Sequence, residues 1–159
     1  MNRPLIALCT VALTVFPAVA ADKSEGRQLA ALSFEAVDRH GNGFVHQGDM
    51  EAMRRDIFNS MDANENNAIE LPEFLDWGYG FQSIAEEESK ELAYRTALKV
   101  VFSFWDRNGD GKITTTEHRK AIIRDFDRAD LNDDAVLTEK EFVGGFSVLV
   151  AIRAALKPE

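Results

Sequence analysis

Four twelve-residue windows, 38–49, 62–73, 106–117 and 130–141, hold 14 of the chain's 27 Asp and Glu residues. Each places oxygen-bearing side chains at alternating positions, an apolar residue at the eighth and an acid at the twelfth. A solvated charged surface would not concentrate carboxylates in this way. Crowded on short curled segments, they suit the wrapping of oxygens around a hard cation such as Ca²⁺, which takes about six to eight oxygen ligands at about 2.3–2.6 Å. In 106–117, side-chain oxygens come from Asp106, Asn108 and Asp110, and Gly111 stands where a sharp turn at positive φ is cheap only without a Cβ. The competing reading, an acidic turn between helices, is weakened by the presence of four copies.

The 106–117 window resembles the EF-hand calcium loop, D-x-[DN]-x-[DN]-G-x5-E, at every specified position. The resemblance covers about residues 28–150. It implies that Asp106, Asn108 and Asp110 ligate through side chains and Lys112 through its carbonyl. Thr114 would act through water, and Glu117 would close the site with both oxygens. Ile113 is expected to form a short β-bridge to another loop. The 130–141 window offers Asp130, Asn132, Asp134, Val136 (carbonyl), Thr138 and Glu141 in the same roles. Its Ala135 stands where Gly is expected, at a cost of about 1 kcal/mol if φ is positive. The 62–73 window offers Asp62, Asn64, Asn66, Ala68 (carbonyl), Glu70 and Glu73. Asn67 replaces its Gly, and Asn tolerates the left-handed region better than most residues.

The 38–49 window departs furthest. It has Asp38, Asn42, Gly43, Phe44 (carbonyl) and a closing Asp49, with His40 third and His46 ninth. Three readings stay open: a decayed loop, weak Ca²⁺ binding through Asp38, Asn42 and Asp49, or a Zn²⁺ or Cu²⁺ site built from Asp38, His40, His46 and Asp49. About three calcium sites are therefore expected, with 38–49 as the doubtful fourth. The short spacing of these loops is similar to that in periplasmic EF-hand proteins, including lanmodulin-type lanthanide binders. Those carry Pro at the second loop position, whereas this chain has Arg39, Ala63, Arg107 and Leu131 there. These departures favour Ca²⁺, with lanthanide ions entering the same sites in vitro.

The spacing also speaks to the elements that hold the loops. Loops one and two start 24 residues apart, as do three and four, and the pairs are offset by 68, which suggests a duplicated pair. EF-hand pairs of the calmodulin family leave about twice that gap. Residues 50–61 and 118–129 contain no Gly or Pro. Met50, Met53, Ile57, Phe58 and Met61 fall on one helical face. The spacing predicts one shared helix per pair, the alternative being two short helices bent near Arg55. Twelve helical residues set two loops about 18 Å apart. Loops of one pair then cannot bridge each other, and loop one is expected to pair with four, and two with three.

The fold expected is all-α: an EF-hand helix-loop-helix array in which two duplicated pairs, 21–82 and 83–159, pack as one compact domain. Ser83-x-x-Glu86 reads as a capping box opening a long helix to Trp105. Trp77, Tyr79 and Phe81 read as core or, alternatively, a target surface. The methionines Met50, Met53 and Met61 read as core filler before sensor surface. The apolar stretch Phe142–Leu156 reads as a buried helix that closes the bundle or docks a second subunit. His118 is expected on an exposed helix turn.

The chain has 159 residues, 45% apolar and 28% charged, with a net charge of −9. That acidity argues against nucleic acid as a partner. Met1–Ala20 reads as a signal peptide: Arg3, the apolar run Leu5–Phe16, Pro17, and Ala18-Val19-Ala20 before the cut. The run is too short to span a bilayer, so no membrane span is expected after cleavage. Cleavage would remove Cys9, the one cysteine. A periplasmic or secreted location is implied. With no nucleophile–base constellation in sight, the chain reads as a non-enzyme. Three roles remain: calcium buffer or calcium-stabilised protein, sensor that engages a protein partner or itself through apolar surface, and carrier of lanthanide or transition ions.

Overall fold

Four buried phenylalanines mark where the helices stop. Asp38, Asp62, Asp106 and Asp130 each donate their N–H to the carbonyl four residues back, of Phe34, Phe58, Phe102 and Phe126. Each helix thus runs up to the first residue of a loop, with the phenylalanine four residues before that aspartate in the core. The computed structural model describes residues 25–78 and 80–157. The expected signal segment and Tyr79 lie outside them.

In chain order the elements are α1 (Glu25–Val37), β1 (Phe44–His46), α2 (Gln47–Met61), β2 (Ala68–Glu70), α3 (Leu71–Asp76), α4 (Phe81–Glu87), α5 (Glu91–Trp105), β3 (Lys112–Thr114), α6 (Thr115–Ala129), β4 (Val136–Thr138), α7 (Glu139–Gly145) and α8 (Ser147–Ala155). The described residues thus form a mostly helical domain with short paired strands. The continuous helices expected over 50–61 and 118–129 are present as α2 and α6, with no bend at Arg55. Fifteen residues make each about 22 Å long, which holds the loops at its two ends apart. The strands accordingly pair across the halves. β1 runs antiparallel to β4 with Val45 opposite Leu137, and β2 to β3 with Ile69 opposite Ile113. These four eighth-position side chains have no exposed surface. One apolar cluster joins both halves, from Phe34 and Val37 through Met50, Phe58 and Met61 to Leu149 and Ile152.

Three expectations are corrected. The long helix from Ser83 to Trp105 is two helices, α4 and α5, broken at Glu88-Ser89-Lys90 with Ser89 at φ 55°. Helix α4 begins at Phe81 after Gly80 at φ 83°, so Ser83 lies inside it rather than capping it. The break is held by Lys90, whose Nζ donates to the carbonyls of Leu156 and Lys157 at 3.0 and 3.1 Å and pairs with Glu88 at 2.8 Å. It lets α4 lie on α1 while α5 runs against α8.

The Phe142–Leu156 stretch is likewise two helices. A Cβ on Gly145 would collide with Ala129, and Asp125, buried on α6, accepts from the N–H and hydroxyl of Ser147 at 3.0 and 2.5 Å, seating the start of α8. Helix α8 is one-sided, with Leu149 and Ile152 buried and Val150 exposed, rather than wrapped in core. Finally, His118 is fully buried, not exposed. The methionines Met50 and Met61 are core, as is Phe81.

Candidate metal centre

Each loop opens on an aspartate at a helix C-terminus and closes on an acid in the first turn of the next helix. The turn between them is set by the sixth residue. Gly43, Asn67, Gly111 and Ala135 all adopt positive φ, at 78°, 64°, 84° and 65°. In every loop this left-handed residue aims its N–H at the opening aspartate. Oδ2 of Asp38, Asp62, Asp106 and Asp130 accepts from the sixth-position N–H at 2.7, 2.8, 2.8 and 2.9 Å. Ala135 and Asn67 therefore adopt the glycine geometry at a conformational cost that glycine would not bear.

The remaining side chains are held in the same way. In 106–117, Asn108 Oδ1 accepts from Asp110 N–H at 2.9 Å and Asp110 Oδ1 from Lys112 N–H at 3.0 Å. In 130–141, Asn132 Oδ1 and Asp134 Oδ1 accept from Asp134 and Val136 N–H at 3.2 and 3.1 Å. In 62–73, Asn64 and Asn66 accept from Asn66 and Ala68 N–H at 3.1 and 2.9 Å. Each carboxylate or amide oxygen that accepts one backbone hydrogen keeps a lone pair for a cation. A set of carboxylates, Asn amides and main-chain carbonyls is the hard-oxygen donor chemistry Ca²⁺ requires, so these residues fit the ion.

The twelfth-position acid is tied to the ninth residue. Glu73, Glu117 and Glu141 accept from the N–H of Glu70, Thr114 and Thr138 at 2.8, 3.0 and 3.0 Å. Where the ninth residue is threonine the arrangement is reciprocal: Thr114 and Thr138 hydroxyls accept from the Glu117 and Glu141 N–H groups. This is a helix capping box. Burial pushes the Glu117 carboxyl up, but the N–H and hydroxyl of Thr114 and the N–H groups of Arg107 and Asn108 prevail and hold it below its ordinary range. The Thr138 hydroxyl, then its N–H, does the same for Glu141.

The structure does not bring every expected ligand together. Glu70 pairs instead with Lys112 Nζ at 3.0 Å across the β2–β3 ladder. Among the described residues no three His, Cys, Asp or Glu side chains stand together as a metal-holding group, in 38–49 or in the other three loops. His46 lies two residues from Phe44 on one face of β1, and its ring packs on that phenylalanine at 5.0 Å between centroids. His40 is exposed. Asp38 and Asp49 do keep the loop geometry, with Asp49 accepting from His46 N–H at 3.1 Å. Sequence reading missed two recurring signals: Phe-x3-Asp before each loop, and a buried residue directly after each (Met50, Phe74, His118, Phe142).

Comparison with known proteins agrees with this geometry. The family model for the EF hand matches residues 98–119. The chain is 26% identical over 151 residues to Calmodulin-like protein 2 of Arabidopsis thaliana, covering 73% of this chain and 92% of that protein. It is 25% identical over 132 residues to Calcium-binding protein LPS1-alpha of Lytechinus pictus, covering 69% of this chain but spanning only 41% of that longer protein. No solved structure matches the chain significantly. Troponin C, isoform 1, of Drosophila melanogaster is 31% identical over 115 residues, covering 64% of this chain and 71% of that protein. With four loops of one hydrogen-bonded design and this degree of likeness to troponin C, the chain belongs to the EF-hand calcium-binding superfamily.

Proposed function

We propose that this is an extracytoplasmic calcium-binding protein that takes up Ca²⁺ at 62–73, 106–117 and 130–141, with 38–49 a weaker fourth position. The observation that carries the reading is the repeated pre-set oxygen cradle: first-position aspartate on sixth-position N–H, twelfth-position acid on ninth-position N–H. The chain is not an enzyme; its relatives are calmodulin-like and troponin C proteins. Among the described residues no helix is long and apolar enough to cross a membrane. The location rests on the apolar run Leu5–Phe16 and the Ala18-Val19-Ala20 pattern. The division into pairs 21–82 and 83–159 rests on the 24-residue spacing and the 68-residue offset.

Because each short ladder joins loops from opposite halves, bound ions would clamp one half to the other, favouring a calcium-stabilised or buffering role. Calorimetric titration of the mature protein tests this. Three equivalents of Ca²⁺ are expected, and Glu73→Gln, Glu117→Gln and Glu141→Gln should each remove one. Sites indifferent to these changes would overturn the ligand assignment. A sensor reading draws on exposed Phe104 and Leu131. It requires Ca²⁺ to raise the binding of an apolar dye; a fall with a gain in helix supports the structural role. Lanthanide carriage requires La³⁺ to outcompete Ca²⁺ by many thousandfold.

A further inference from the structure

The residue directly after each loop starts the buried face of the next helix. At three of these equivalent positions it is apolar: Met50, Phe74 and Phe142. At the fourth it is His118, with 0% of its surface exposed and neither ring nitrogen hydrogen-bonded. The imidazole stands 5.3 Å from the Trp105 ring and 5.6 Å from Phe58, between centroids. A neutral imidazole offers one donor and one acceptor, and each left unmade in the interior costs about 1–3 kcal/mol. An apolar side chain, which the other three helices use, would carry no such cost.

His118 lines a cavity of about 150 Å³ to which all of α1–α8 contribute, with Met53, Ile57, Leu98, Trp105 and Leu149 among its walls. Met53, Ile57 and Trp77 in its walls are half-buried. A cavity of this size accepts a single benzene-sized ring. Its polar groups are few. The Ser33 hydroxyl donates to the Leu29 carbonyl at 2.9 Å, and the Trp77 indole N–H to the Ser60 hydroxyl at 2.9 Å. That leaves His118 and Tyr94 in walls otherwise apolar, a poor setting for water, which seeks about two to four polar partners. An imidazole anchor in a largely apolar chamber matches a ligand with one polar group on a ring. Arg54, buried on α2, is paired with Glu51 through two hydrogen bonds at 2.9 and 2.8 Å, so their opposite charges offset each other beside the imidazole and a neutral ligand suits the site.

We propose that this cavity is a binding site for a small neutral aromatic alcohol of the phenol class, its hydroxyl hydrogen-bonded to the His118 imidazole and its ring among Met53, Ile57, Trp105 and Leu149. A phenol hydroxyl both donates and accepts, as neutral imidazole does. The site is separate from the loops and needs no bound ion in its walls.

The test is titration of the purified chain with phenol and with toluene, its analogue lacking the hydroxyl, by tryptophan fluorescence and by ¹⁵N shifts of histidine-labelled protein. Saturable phenol binding is expected, at least about tenfold tighter than toluene, the value of one buried hydrogen bond. The His118 ring nitrogens should shift while those of exposed His40 and His46 stay fixed. His118→Phe copies the residue found after two of the other loops; it is expected to keep the calcium titration and to bind phenol and toluene alike. If that variant does not fold, the ¹⁵N shifts of the unaltered chain decide. Absent phenol binding, equal affinity of the unaltered chain for phenol and toluene, or phenol binding that leaves the His118 nitrogens unmoved would each overturn the proposal.

Discussion

The acid at the twelfth loop position has two tasks, and they are separable by chemistry. Its carboxylate accepts backbone hydrogens that cap the next helix, and its charge is what a divalent ion needs. Glu117→Gln keeps an acceptor but loses the charge. It should weaken Ca²⁺ binding at 106–117 by at least about tenfold and, because only one of its two terminal atoms can accept as both carboxylate oxygens do, cost less calcium-free stability than full removal of the side chain. Glu117→Ala loses both and should also cost about 1 kcal/mol without metal, from the lost cap. Chemical denaturation in chelator distinguishes the two. At the sixth position, Ala135 at φ 65° carries strain that glycine would not. Ala135→Gly should stabilise the calcium-free chain by about 0.5–1 kcal/mol, net of the added freedom of the unfolded chain. A drop in stability would mean the turn is not strained.

Helices α2 and α6 behave as rods between loops, and their junctions are where single changes should tell most. Gly145 exists because α7 must approach Ala129 on α6 more closely than a Cβ permits. Gly145→Ala should destabilise by about 1–3 kcal/mol, and Ala129→Gly in the same molecule should restore part of it. A double-mutant cycle with no coupling would refute the contact. Asp125 fastens α8 to α6 through Ser147, with Arg128 on its other oxygen. Burial raises its carboxyl above the ordinary range despite the bonds from Ser147 and the Arg128 charge. The folded state therefore holds this proton more tightly than the unfolded state does. As pH falls from 7 toward the unfolded value near 3.8, the wild type should gain stability relative to Asp125→Asn, measured in chelator. A constant difference across that range would show the group is not perturbed.

Across the whole molecule, the ladders join first half to second: Val45 to Leu137 and Ile69 to Ile113. Loops 62–73 and 106–117 thus share one ladder although they start 44 residues apart in the chain. Removing the ion from one should loosen the other, so Glu73→Gln should weaken Ca²⁺ at 106–117 several-fold, the reciprocal holding for Glu117→Gln. Independent sites in calorimetry would sink the coupling. Calcium at about a hundred times its dissociation constant should add about 2.7 kcal/mol per site, read as a rise in melting temperature that chelator reverses.

The loops were legible without a structure because their ligands lie within twelve consecutive residues. There, side-chain type, turn residue and helix cap are all local properties of the chain. Continuity of α2 and α6 was legible for the same reason, and the pairing of loop one with four and two with three followed from their length. What local order could not reveal was decided by packing. His118 reads as surface from its charged neighbours Glu117, Arg119 and Lys120, yet its turn places it on the helix face that meets Phe58 and Trp105. The breaks at Ser89 and Phe146 answer to partners far along the chain, the carbonyl of Leu156 for one and the carboxylate of Asp125 for the other. Glu70 turned from its own loop to Lys112 because a strand from the other half lay beside it. Short-range chemistry thus determined what each loop can hold, and long-range burial determined what surrounds it, because the free energy of filling a core depends on residues that meet only once the chain has folded.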